Sequence, residues 1–400
     1  MSITADIIQK DSKYSVPVAA RPDFVLARGE GVTVFDTDGN AYTDWVAGIA
    51  VNALGYGDAE LQAAVTAQMD TGLIHVSGLY HTQPMVELAQ TLCDMSFAGK
   101  AYFCNSGAEA VEGALKFARK HAYVNERVNK TKVLSFSDAF HGRTMGALAV
   151  TPKPKYQTPF KPMVPGAVLG EFNSIDSARE LIDADTVAVI IEPIQGEGGI
   201  NVASAEFMQA LRTQCDEHDA ALIFDEVQCG LGRTGDMWAH SIAGISPDIM
   251  VLAKPLAGGL PIGAILVTDE IASAMSPGDH GSTFSGGAVV MQAAQVVVNR
   301  IANDGFLEHV REVGEYLLER LSELNSPHIV DVRGRGLMAG IELDIAPGGI
   351  VQAGYEHGLL LVSSGSNVIR FVPPLIIQKA HVDELIDKLT QILETIDDGD

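Results

Sequence analysis

The chain has 400 residues, with 51 acidic against 27 basic side chains for a formal net charge of −24; 47% of it is hydrophobic and 20% charged. A chain this apolar buries enough surface to offset its ordering entropy, which excludes intrinsic disorder, and its length exceeds one ordinary core of roughly 100–200 residues, so a large domain with a smaller companion is expected. The acidity excludes nucleic acid and anionic membrane surfaces as partners, because both are bound by clustered Lys and Arg.

In chain order, Met1-Ser-Ile-Thr-Ala-Asp lacks a basic stretch followed by an apolar one, so no signal peptide is expected. Hairpin-like runs at 29–34 and 35–42 flank the turn signal Asp38-Gly39. From about 100 to 270, short β-rich runs alternate with amphipathic stretches, the pattern of a mostly parallel sheet covered by helices. The expected strands are 101–104, 132–136, 187–191, 221–224, 248–253 and 262–267, several of them continuous apolar runs that imply burial on both faces. Helical patterns lie between them at 108–122 and 205–217. After about 285, one long helical stretch runs through 292–301 and 307–324. Strands at 329–332 and 337–343 flank Arg333-Gly-Arg-Gly336, and a terminal helix over about 381–396 frays into 397–400.

The expected fold is α/β. It has a large domain over 51–290, a smaller α+β domain over 291–400, and an N-terminal segment, 1–50, packing with the smaller one. No apolar run approaches about 18 residues, so no membrane span is expected. Cys93, Cys104, Cys215 and Cys229 lie far apart, without C-x-x-C spacing or nearby histidines. They read as reduced thiols of a cytoplasmic protein, with no metal site.

Ligands of open α/β sheets bind outside the carboxyl ends of the strands, so those ends are where chemistry is sought. The strand at 101–104 runs into Asn105-Ser106-Gly107-Ala108 and a helix. Such a turn suits a phosphate held on backbone N–H groups, though Ser106 reads equally as a plain N-cap. The strand at 221–224 ends in Asp225, a carboxylate that is costly to bury unless it meets a cation or donors. Lys254 ends the next strand; a desolvated lysine is a nucleophile toward carbonyls, although one reaching back to solvent is as natural a reading. After 132–136 come Phe140, His141 and Arg143, a ring and a guanidinium beside a histidine that reads by itself as a satisfied loop residue. Phosphate cradle, acid, amine and aromatic plate on successive strand ends are together the parts of a pyridoxal phosphate site, with a Lys Schiff base and an acidic partner for the pyridinium nitrogen.

These motifs, with Ala47-Gly-Ile-Ala-Val-Asn, Phe103-Cys-Asn-Ser-Gly-Ala-Glu-Ala, Phe140-His-Gly-Arg-Thr, Glu192-Pro-Ile-Gln-Gly-Glu-Gly-Gly, Phe224-Asp-Glu-Val-Gln, Gly281-Ser-Thr-Phe and Arg370-Phe-Val-Pro-Pro, make the chain resemble the class III, fold type I, pyridoxal-phosphate aminotransferases, most closely their acetylornithine branch. The resemblance implies that Lys254 joins the cofactor covalently and then shuttles a proton, and that Asp225 keeps the ring nitrogen protonated. It further implies that Gln228 bonds the phenolic oxygen, that Phe140 stacks on the ring with His141 beside it, and that Ser106, Gly107 and Ala108 hold the phosphate. Thr283 would reach that phosphate from the neighbouring subunit, so a homodimer with shared sites is expected.

For substrates, the resemblance implies that Arg143 takes a distal carboxylate and Arg370 the α-carboxylate of glutamate. Glu197 would pair with Arg370 when an uncharged segment lies there. The expected reaction moves the terminal amino group of N-acetylornithine, or a close ω-amino analogue, to 2-oxoglutarate, a step of arginine biosynthesis. Succinylornithine, carrier-linked lysine, 4-aminobutyrate or a diamine stand as alternative donors, and an aminomutase as an alternative activity. The chain departs from the family pattern at Pro255 after Lys254, at Ser285-Gly-Gly-Ala, and at Gly55-Tyr-Gly-Asp, where Tyr56 either lines the substrate entrance or packs.

Overall fold

The apolar runs in the middle of the chain form one seven-stranded sheet in the computed structural model, which describes residues 2–76 and 78–397. Ahead of that sheet come a helix, Ile3–Tyr14, and strands β1 (Leu26–Glu30), β2 (Thr33–Asp36) and β3 (Ala41–Asp44). The large sheet takes β4 (Lys100–Cys104), β5 (Lys132–Phe136), β6 (Ala167–Gly170) and β7 (Thr186–Ile191). After a short hairpin of β8 (Ile194–Gln195) and β9 (Asn201–Val202), it adds β10 (Ala221–Asp225), β11 (Ile249–Leu252) and β12 (Gly263–Val267). The order is β4-β12-β11-β10-β7-β5-β6. Neighbours from β11 to β6 pair in parallel, and β12 runs against both β11 and β4. The fold is therefore α/β with a mostly parallel sheet, as expected.

β7, β10, β11 and β12 are buried along their whole length, which is why they read as unbroken apolar runs. β6 has no counterpart among the expected strands. It is four residues long, sits at the sheet edge and is only partly buried, so it carries no continuous apolar signal.

The single long helix expected through 292–301 and 307–324 is two helices, Ala288–Ile301 and Asp304–Ser322. Asn303 breaks the run: its side chain accepts a hydrogen bond from Gly305 N at 3.0 Å and caps the second helix. The first of the two packs against helices Ala59–Asp70 and Gln83–Asp94 and against the turn that follows Lys254.

The C-terminal strands are β13 (Ile329–Arg335), β14 (Met338–Leu343), β15 (Leu359–Leu360), β16 (Val362–Ser364) and β17 (Val368–Phe371). Four of them form an antiparallel sheet in the order β13-β14-β17-β16, while β15 pairs in parallel with β3. The terminal helix is Lys379–Asp397, and the fraying expected at 398–400 lies outside the described residues. One apolar cluster runs from Trp45 through Leu252 and Val297 to Phe371 and Leu385, and others around Ile265 and Phe207 cover the large sheet. Each fully buried Leu, Ile or Phe contributes about 1.5–3 kcal/mol. Among the described residues, no helix is long and apolar enough to cross a membrane and no His/Cys/Asp/Glu group is arranged to hold a metal. All four cysteines are free thiols.

Candidate active site

The carboxyl ends of β4, β5, β7, β10 and β11 converge on a cavity of about 500 Å³. Because β12 is reversed, its beginning rather than its end faces this edge, and Pro261 and Ile262 close the wall there.

At the end of β4, Ser106 is the N-cap of helix Gly107–Val124, its Oγ accepting from Glu109 N at 3.2 Å. Glu109 reaches back to Asn105 N and Nδ2 at 2.8 and 2.9 Å, which fixes the turn. The N–H groups of Gly107 and Ala108 begin the helix, have no acceptor within it, and border the cavity at the positive end of its dipole. A Cβ on Gly107 would stand 2.9 Å from Val227 Cγ1, so only glycine lets the turn come this close.

After β5, Phe140 and His141 enter the cavity wall. Phe140 N donates to Glu192 Oε1 at 2.9 Å and His141 N to Thr151 Oγ1 at 2.8 Å. The imidazole Nδ1 lies 2.7 Å from Asp225 Oδ2, and its buried Nε2 has no partner among the described residues. Asp225 is the last residue of β10 and its Oδ1 accepts from Val227 N at 3.1 Å. The next residue, Glu226, is also buried. It turns instead to Ala239 N, His240 N and His240 Nδ1, the last at 2.6 Å, so the two adjacent carboxylates each own a histidine.

Lys254 follows β11 with φ +28°, a conformation that a side-chain-bearing residue holds only at a cost of about 1–3 kcal/mol. Its amine has no hydrogen bond or ion pair among the described residues. Burial lowers its pKa from 10.5 to about 8; Glu197, Glu192 and Asp225 pull the other way, while Arg370 adds to the fall. Pro255 sits in the first turn of the short helix Lys254–Ala257, where its missing N–H costs nothing, so this departure leaves the loop intact.

Arg370, in β17, is fully buried. Its Nη1 donates to Glu197 Oε1 at 2.6 Å, to Gly196 O at 2.8 Å and to Gln228 Oε1 at 3.0 Å. Burial pushes the Glu197 carboxyl up, but Arg370 and then Lys254 outweigh it and hold it below its usual range. The pair expected from the motifs is thus formed, and Gln228 joins it, its Nε2 also lying 3.5 Å from Glu197 Oε1. Arg143 is itself in the cavity lining, exposed, with Cζ 3.5 Å from the centroid of the Tyr156 ring and 5.5 Å from that of Phe140.

Glu197 and Arg370 are not in the cavity lining themselves but bond Gln228, which is, while Thr283 and Tyr56 lie away from it. Thr283 is exposed and absent from the cavity wall; its neighbour Ser282 accepts from Asn105 Nδ2 at 2.8 Å, and Ser285 donates to Phe103 O. Tyr56 packs rather than lining the entrance. Its hydroxyl donates to Asp44 Oδ2 at 2.6 Å and accepts from Asn52 Nδ2, and burial together with Asp44 pushes its pKa well above the usual value. Asp44 also receives Val46 N and Ala47 N. This anchors a left-handed turn in which Ala47, Gly48, Ile49 and Ala50 all have positive φ before Val51 reaches the cavity.

Glu192 is a site residue that the motif reading leaves without a role. It follows an apolar strand just as Asp225 does, and that signal was available. Its two oxygens bracket the wall, one on Phe140 N and the other on Gly196 N at 3.1 Å. Burial raises its carboxyl to about 7, with His141 opposing and Asp225 adding.

The model of a family described as Aminotransferase class-III matches residues 15–393. The mitochondrial acetylornithine aminotransferase of Alnus glutinosa is 47% identical over 99% of this chain and 89% of its own length. The succinylornithine transaminase of Yersinia pseudotuberculosis is 42% identical over 97% of this chain and 96% of its own. Among solved structures, an ornithine aminotransferase from Toxoplasma gondii with partial occupancy of PLP at its active site superposes with a TM-score of 0.95. It is 28% identical, and the match covers 99% of this chain and 95% of that one.

Proposed function

The chain belongs to the class-III aminotransferases, and we propose that within this family it transfers the terminal amino group of N-acetylornithine to 2-oxoglutarate, giving glutamate and a semialdehyde. The enzyme is a transaminase dependent on pyridoxal phosphate. When bound, that group supplies an electron-withdrawing ring that stabilises negative charge on the amine-bearing carbon.

The residues present fit it. Two N–H groups at the start of helix Gly107–Val124, without an acceptor within the helix and with Ser106 beside them, suit the phosphate, and a bare glycine lets it approach. Phe140 provides a flat face, and Gln228 a polar group beside it. Asp225, oriented by His141, provides an acceptor for a protonated ring nitrogen. Lys254 Nζ, without a partner among the described residues and of lowered basicity, would hold the group through its aldehyde and would move a proton at the substrate carbon.

One observation carries the substrate reading: Arg370 is already neutralised by Glu197, while Arg143 has no acidic partner among the described residues. A donor whose reacting end is an uncharged methylene lies beside the closed Arg370–Glu197 pair, and its far carboxylate goes to Arg143. A dicarboxylate engages both arginines once Glu197 withdraws. An unpaired charge in so buried a place is expensive, so the pair must open and close with the substrate. Thr283, exposed beside the exposed ring of Phe284, serves the phosphate of a second copy, which makes the enzyme a homodimer; its four free thiols accord with the cytoplasm.

The test is a panel of half-reactions followed by the cofactor's absorbance. Glutamate and N-acetylornithine are both expected to convert it, the latter faster than ornithine or 4-aminobutyrate. A spectrum unmoved by glutamate overturns the choice of acceptor, and slow conversion by N-acetylornithine overturns the donor. The Yersinia relative supports N-succinylornithine as a second donor, and the ratio of the two rates decides between them.

A further inference from the structure

Arg370 and Arg143 are held in different ways. Arg370 is clamped by a carboxylate, a carbonyl and an amide. Arg143 has no hydrogen bond or ion pair among the described residues and lies over aromatic carbon, its Cζ 3.5 Å from the Tyr156 centroid. We propose that Tyr156 is a positioning residue for substrate recognition: its ring holds the Arg143 guanidinium at the cavity mouth before substrate arrives and so sets the affinity for carboxylate-bearing substrates. The proposal rests on the reading that Arg143 receives the distal carboxylate.

Contact through the face of a guanidinium leaves its N–H edge free. An acidic residue in place of Tyr156 would occupy that edge and compete with the substrate, whereas a ring orients the cation and asks for none of its donors. The rotamer freedom of a long side chain is then lost before binding rather than during it, which favours the bound state.

The platform itself is fixed on both sides. Tyr156 lies in the short helix Pro154–Gln157. Gln157 Nε2 donates to Leu148 O, Ala149 O and Thr151 O at 3.0, 3.3 and 2.9 Å, tying the helix to the end of the preceding one. Lys153 Nζ donates to the carbonyl of Glu197 at 2.7 Å. The segment bearing the Tyr156 ring is therefore bolted to the turn that carries the partner of Arg370, and the spacing between the two carboxylate-binding points is set through it.

The experiment compares holoenzyme carrying Tyr156→Phe, Tyr156→Leu and Tyr156→Ala, with Arg143→Ala as the control. Tyr156→Phe keeps the ring and is expected to stay within about twofold of the parent in every parameter. Tyr156→Leu keeps apolar bulk without a ring. It and Tyr156→Ala are expected to raise KM for 2-oxoglutarate and for the amino donor about fivefold, the effect of one cation–π contact, with kcat moved far less. The half-reaction of butylamine, which has no carboxylate, is expected to be untouched, and Tyr156→Leu added to Arg143→Ala is expected to raise KM no further. If Tyr156→Leu keeps the parent KM, or butylamine slows as much as glutamate does, Tyr156 is only packing and the proposal is overturned. If Arg143→Ala itself leaves KM for 2-oxoglutarate unchanged, the assignment of Arg143 falls and the proposal with it; a raised KM there beside an unaffected Tyr156→Leu overturns the proposal alone.

Discussion

His141 Nδ1 stands 2.7 Å from Asp225 Oδ2, with both side chains buried at the end of the central sheet. A carboxylate only accepts, so the ring nitrogen donates, and the acid is aimed by a group that is itself anchored through its backbone to Thr151. Hydrogen bonds to charged groups contribute about 1.5–3 kcal/mol. His141→Ala is therefore expected to weaken cofactor binding about tenfold or more, and His141→Asn to recover part of the loss. Titration of pyridoxal phosphate into stripped enzyme measures this; an unchanged affinity in His141→Ala means that Asp225 needs no such aim.

Lys254 predicts a pH dependence. Its amine, lowered to about 8 by burial, becomes neutral and nucleophilic as pH rises through that value rather than through the ordinary 10.5. Capture of the cofactor aldehyde by stripped enzyme is expected to accelerate from about pH 7 to about pH 9 and level off above. Glu197 opposes the lowering, so Glu197→Gln is expected to move the rise to lower pH. Stopped-flow absorbance across pH gives the midpoint, and one near that of free lysine refutes the effect of burial.

Glu197→Gln also removes the charge that neutralises Arg370. The glutamate half-reaction is expected to gain, because no ion pair must be broken, while the ω-amino donor loses because a bare guanidinium faces its methylene. Single-turnover rates for the two substrates should shift in opposite directions; a parallel shift excludes the exchange of partners at Arg370.

Gly107→Ala places a methyl group 2.9 Å from Val227 Cγ1 and 3.1 Å from Cγ2. Overpacking of this kind costs about 1–3 kcal/mol and displaces the helix start that faces the cavity. Lower stability in denaturant and weaker cofactor binding are expected together, and Val227→Ala in the same chain is expected to restore both. Restoration of stability without restoration of binding would separate the glycine's packing from its part in the cradle.

The central strands were readable because they are buried on both faces, and Asp225 and Lys254 because each charge ends an apolar run. Glu192 obeys the same rule, yet nothing local says that its oxygens reach Phe140 and Gly196. The cluster of Arg370, Gln228 and Gly196 O was hidden for another reason: its members come from β17, the turn after β10 and the turn after β8, and only the fold brings them together. The helix break at Asn303 was lost because apolar spacing continues across it, and a cap weighs little beside a long periodic pattern. Tyr56 carried two readings, and its choice depended on Asp44, which a linear reading does not place beside it.

The parallel pairing of β15 with β3 joins residues 359–360 to residues 43–44, and Arg370 follows shortly after. During synthesis the first hairpin therefore waits, with one edge unsatisfied, until residues 359–360 have left the ribosome. The nascent chain can lay down its central sheet before β17 exists, so a product terminated ahead of residue 370 has Glu197 and Gln228 without the guanidinium that gathers them.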